Sequence, residues 1–154
     1  MAGFVIPNTV GVTNGTDLVL LHLYNVAGTV RPKVNTLVIG PDAVTPQDRS
    51  AVYQLTRTTP AGTTPTGTVV VSPNDTLTIA ACVGNQGSYA TPPTHNAAGA
   101  LGLAIPLNMR ANYQWYANIG REKFGIAAAN NGIALVSVLA DVAFGVRSSI
   151  EWEE

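Results

Sequence analysis

The residues able to do chemistry are few and scattered. The chain has two histidines, His22 in an apolar stretch and His95 in a Pro-rich one. With no carboxylate near either in sequence, they make a weak metal pair, and His22 reads as a satisfied sheet residue. Asp17, Asp42, Asp48, Asp75 and Asp141 stand singly at turns, where a short acid bonds its own backbone. A calcium loop needs acids at alternate positions, and none occurs. There is no nucleophile elbow, phosphate loop or dinucleotide fingerprint. Cys82 is the only cysteine, which excludes an intrachain disulfide, and it reads as a buried strand thiol. No cofactor and no metal are expected, and neither is catalysis. One aromatic cluster remains, Tyr113, Trp115 and Tyr116. Strand periodicity puts Tyr113 and Trp115 on one face and Tyr116 on the other. Either the first pair fills the core and Tyr116 meets a subunit, or the pair stacks against sugar rings.

The elements that would position these residues are all strand-like. Leu18 to Tyr24, Val30 to Ile39, Ser50 to Thr58, Thr68 to Ser72 and Asp75 to Val83 are β-branched or alternating runs separated by Gly, Pro and Asn turns. In Ser50–Thr58, Ala51, Tyr53, Leu55 and Arg57 fall on one face. Asn112 to Asn118 is an aromatic strand. Asn130-Asn131-Gly132 predicts a hairpin between strands at 122–128 and 133–139. The Ala-rich run from Ile133 reads as strand because of Val136 and Val138. From Val146 the pattern alternates, with Val146, Ser148, Ile150 and Trp152 on one face. The tail from Ala111 is the densest apolar stretch and reads as the core of the sheets. The whole predicts an all-β chain, a β-sandwich or jelly roll of about eight to ten short antiparallel strands.

Two stretches stand apart. Residues 1–16 carry Phe4, Val5 and Ile6 but are broken by Pro7, so they predict an edge strand or an N-terminal arm ahead of a single domain at 17–154. An arm of that kind would be removable, so deleting Met1–Pro7 is expected to leave folding intact. Residues 84–106 read as a long irregular loop, polar through Tyr89 and His95, then apolar and rich in Gly and Ala. Such a segment packs on something, and a neighbouring subunit is the expectation.

Composition narrows the function. Of the 154 residues 46% are apolar and only 11% charged, against about 25% in an ordinary domain. So little charge gives little protection against association. The net charge of −1 has no basic run behind it, which argues against nucleic acid as a partner. The N-terminus lacks the basic and long apolar regions of a signal peptide, and no stretch approaches the ~20 apolar residues of a membrane-spanning helix, so no membrane role is expected.

Taken in order, Gly11-Val12 before Leu18-Val19-Leu20, then Leu37 to Gly40, Tyr53 to Arg57 running into a Thr/Pro/Gly stretch ending at Gly67, Asn112 to Trp115, Asn131-Gly132 and the closing Ser149 to Glu154 make a chain that resembles small phage structural proteins, the capsid decoration or cement proteins with a jelly-roll-like fold. The resemblance implies a non-enzymatic protein on the outer surface of the virion head, a homotrimer bound to the major capsid protein and bridging capsomers. Phe4, Val5, Ile6, Tyr89, Leu101, Leu103, Ile105 and Tyr116 are then the candidate subunit or capsid contacts. The rival expectation is a glycan-binding module of a tail or head fibre, with Tyr113 and Trp115 as the sugar contacts.

Overall fold

A computed structural model describes residues 3–12, 18–42, 48–59, 68–72, 75–86, 92–108, 110–126, 128–140 and 144–154. Among them every regular element is a strand: β1 (Gly3–Val12), β2 (Leu18–Asn25), β3 (Lys33–Pro41), β4 (Ser50–Thr59), β5 (Thr68–Ser72), β6 (Asp75–Gln86), β7 (Thr94–Asn108), β8 (Tyr113–Tyr116), β9 (Lys123–Phe124), β10 (Gly132–Ala140) and β11 (Phe144–Glu153). The first sheet runs β1-β11-β3-β8, with β9 on β3 alongside β8. The second runs β5-β6-β2-β10-β4-β7. All pairings are antiparallel.

The sheets share one core. The first contributes Phe4, Ile6, Val34, Leu37, Ile39, Val146, Ile150 and Trp152; the second contributes Leu20, Leu21, Leu23, Tyr53, Leu55, Ile133 and Leu135. The period of β11 is the expected one, with residues 146, 148, 150 and 152 buried in alternation. Trp152 is fully buried, its ring centroid 5.5 Å from that of Phe4, its cross-strand partner. The carboxylate of Glu154 then ties the sheets together. It accepts from the Ala81 N–H at 2.7 Å and the Cys82 N–H at 2.8 Å on β6, and from Trp152 Nε1 at 3.1 Å. β2 is buried on both faces from Val19 to Asn25, as a continuous apolar run requires.

Several expectations are corrected. β1 holds the edge position next to β11, the place in a sheet where a proline such as Pro7 is tolerated. Phe4 and Ile6 nevertheless lie in the core, 3% and 1% exposed, so the strand is part of the fold and its deletion is expected to cost stability. The long loop expected at 84–106 is overturned over most of its length: β6 continues to Gln86 and residues 94–108 form β7. Gly and Ala give poor strand propensity, but pairing with β4 overrides it, and two register shifts along that pairing absorb the irregular spacing. The hairpin expected around Asn130–Gly132 does not form. β9 pairs with β3 and β10 pairs with β2 and β4, so the turn carries the chain from one sheet to the other. Asn130 takes the left-handed conformation there, φ 59°, and its N–H donates to Asn25 O at 2.7 Å. In β4 the alternation holds through Leu55 but then fails, since Thr56 and Thr58 are also buried, on the other face.

Candidate functional site

Two regions concentrate polar groups. The first follows from the period of β11, which points Arg147, Ser149 and Glu151 away from the core. Pro7, Ser149, Val38 and Gln114 form one row across the four strands, and Arg147 faces Gly40 in the next. These are small side chains or edge residues, and they leave a groove of about 610 Å³. At Gly40 the Asn112 amide occupies the space that a Cβ would take. One end is fixed by Arg147, whose Nε donates to Asp42 Oδ1 at 2.6 Å. Gln114 Nε2 donates to the hydroxyl of Tyr116, which stands 62% exposed. The groove offers amide, hydroxyl and guanidinium groups over an apolar floor, and its ionised side chains are already paired. It can hold a neutral polar ligand by shape and hydrogen bonding.

The second region lies on the face of the second sheet turned away from the shared core. His22 Nε2 and Thr58 Oγ1 share a buried hydrogen bond of 2.7 Å, whose direction follows the imidazole tautomer. The strand between them, β10, supplies only Gly132 and Ala134 at these rows, so the ring crosses it unobstructed. The Tyr24 ring stacks at 5.0 Å. Burial pushes the His22 pKa down to about 4, so the imidazole is neutral at neutral pH. The cross-strand partner of Thr58 on β7 is His95. The two histidines therefore flank one threonine, a placement that 73 residues of separation hide. Among the described residues no group of three or more His, Cys, Asp or Glu is placed to hold a metal. Cys82 is buried, and its thiol is pushed up to about 12, first by burial and then by the charge and hydrogen bond of Glu154. Such a thiol is a poor nucleophile.

The residues singled out in the sequence separate into distinct places. Phe4, Ile6 and Ile105 are in the core and unavailable to a partner of the folded chain. Leu101 and Leu103 are half-buried against that core. Val5 is half-buried and lines a smaller hollow with Asn35 and Glu151. Tyr89 lies outside the described residues. Tyr113 and Trp115 share a face and back onto the core, while Tyr116 faces solvent. Sequence reasoning missed Val26, Ile119 and Phe124, which are 55%, 101% and 38% exposed. The signal for Ile119 was there: it sits between Asn118 and Gly120, a turn pair that leaves the central side chain nowhere to pack. Comparison with protein-family models, with curated proteins and with solved structures finds no match.

Proposed function

We propose that the chain is a non-enzymatic structural protein of a phage head: a decoration or cement protein with a jelly-roll fold that binds the outer surface of the capsid and bridges capsomers as a homotrimer. The observation that carries this reading is a surface poor in charge from which large apolar side chains stand out, Tyr116 and Ile119 above all. Groups of that kind gain by being covered. The low charge of the chain and its two-sheet all-β architecture are in keeping with it. Light scattering on the purified protein, with sedimentation against empty phage shells that lack it, tests both halves of the reading. Trimers that co-sediment with shells are expected; a monomer that stays in the supernatant would sink it.

The groove over the first sheet favours a second reading, a glycan-binding module. Its amides, hydroxyls and guanidinium suit sugar hydroxyls; Tyr113 lines it, and the exposed Tyr116 stands outside it, bonded to Gln114. Tyr113 and Trp115 are half-buried against the core, and of the two only Tyr113 lines the groove. A glycan array with Gln114→Ala and Tyr116→Ala as controls decides it. Binding lost in both variants supports the module, and an array with no hits removes it.

A further inference from the structure

The end of the sandwich where β3 begins and β11 closes gathers charge of both signs, with Glu122, Glu151, Glu153 and Glu154 beside a group of cations. Arg31, Lys33, Arg57, Arg121 and Lys123 meet there around β9. Lys33 is the one already neutralised, by Glu122 at 3.4 Å and Glu153 at 3.3 Å. Among the described residues no ion pair involves Arg31, Arg57, Arg121 or Lys123. Two guanidiniums are held in place by backbone. Arg31 Nε donates to Gly125 O at 3.2 Å with its head 5.4 Å from the Phe124 ring centroid, and Arg57 Nε donates to Phe124 O at 3.2 Å. Both side chains are exposed. A guanidinium held through Nε keeps its two terminal nitrogens, the edge that grips a carboxylate.

The connection that leads from β8 into β9 carries an apolar knob. Arg121 N donates to Asn118 O at 2.8 Å, and Gly120 takes φ +79°, so Asn118–Arg121 is a closed turn with Ile119 at its tip. The turn is tied down on one side by Ala117 N to Asn35 O at 2.8 Å and on the other by the Glu122–Lys33 pair. At the far end of the molecule the acids Asp42 and Asp48 are paired with Arg147 and Arg110.

We infer that this end is a docking surface for an acidic protein segment in which carboxylates flank an apolar side chain. Arg31 and Arg57 take the carboxylates while Phe124 and Ile119 cover the apolar residue. Fixed guanidiniums beside an aromatic ring and a protruding aliphatic are the makings of a protein hot spot. A nucleic acid would use the arginines but leave Ile119 uncovered. The surface stands on its own residues; only the source of the segment, an acidic patch of the shell, rests on the structural-protein reading.

The test is fluorescence anisotropy of the full chain with a labelled peptide of sequence Glu-Phe-Asp-Leu-Glu, at about 50 and 300 mM salt. Binding is expected to weaken with salt and to fall about tenfold or more in Arg31→Gln/Arg57→Gln. Ile119→Ser cannot disturb the core from a fully exposed position; it is expected to weaken binding severalfold, and it carries the test if the double variant fails to fold. The inference is overturned by a wild type that ignores the peptide up to about 1 mM, by variants that bind like wild type, or by single-stranded DNA outcompeting the peptide. Shell sedimentation with the same variants separates the two claims. Shells bound equally by both variants defeat the shell as the source of the segment and leave the decoration reading standing. Peptide binding without shell binding leaves this surface standing and defeats the decoration reading.

Discussion

The buried imidazole of His22 makes stability depend on pH in a window that carboxylates do not share. Its pKa is about 4 in the fold and about 6.5 in the unfolded chain. Between those values the unfolded chain binds the proton and the folded one does not. Stability is therefore complete above about pH 6.5 and falls as pH drops towards 4. The cause is burial: the ring is enclosed by its own sheet, stacked on Tyr24 and bonded to the Thr58 hydroxyl. At about 1.4 kcal/mol per pH unit, the whole gap is worth about 3 kcal/mol, and the part between pH 6.5 and 5 about 2 kcal/mol. Urea denaturation at pH 7 and pH 5 reads that loss before most carboxylates titrate. His22→Gln should flatten the dependence across the same window, at some cost at pH 7. Proton-detected titration of the imidazole should place its midpoint near 4. Equal stability at pH 7 and 5 in the wild type, or the same fall in His22→Gln, would refute the reasoning.

Other perturbations follow from burial. Trp152→Ala should cost about 3–5 kcal/mol by denaturation, because it empties a site closed by Phe4 and frees Glu154 from its indole partner, whereas Tyr116→Ala should stay within about 0.5 kcal/mol. Gly132→Ala should lower stability by about 2–3 kcal/mol in a melting experiment, since its Cβ would run into the Leu23 carbonyl. Native protein treated with iodoacetamide near neutral pH should show no added mass at Cys82, with labelling only after unfolding. Deleting Met1–Pro7 should prevent folding or lower the melting temperature at least as much as Trp152→Ala, as circular dichroism would report.

Much of this was legible in the sequence, and the misreadings have physical causes. The alternation from Val146 to Trp152 places one face of β11 correctly, and the unbroken run Leu18–Tyr24 marks a strand covered on both sides. β7 was misread because glycine and alanine dominate its propensity. Yet Leu101, Leu103, Ile105 and Leu107 recur at the spacing of a strand face, and all four pack on the core. Asn130 was read correctly as a positive-φ turn residue, but a turn does not reveal which strands it joins; only the pairing of β9 with β3 does. The His22–Thr58 bond and the arginines around Phe124 join residues 36 and more apart. They depend on how sheets are ordered, which composition and local period do not encode.

The N-terminal strand shows how far the apolar composition can be taken as a sign of assembly. Phe4, Val5 and Ile6 look like a sticky arm in the sequence, yet the strand period divides them: Phe4 and Ile6 fill the core and only Val5 faces out. Apolar content alone therefore overstates the surface available to partners, and the same holds for Ile105, Tyr113 and Trp115. What the fold leaves outside is narrower: Tyr116, Ile119, Phe124 and Val26, of which Phe124 lies against Arg31 while Tyr116 shares a cross-strand row with the exposed Glu151. A partner for the Phe124 end must bring negative charge as well as apolar area. Among the described residues a copy of the same chain offers few carboxylates, the exposed Glu151 among them, because Asp42, Asp48, Glu122 and Glu153 are engaged within it. Self-association and binding to a larger acidic surface would then use different faces of the sandwich. An assembly in which removing Arg31 and Arg57 dissolved the oligomer itself would contradict that separation.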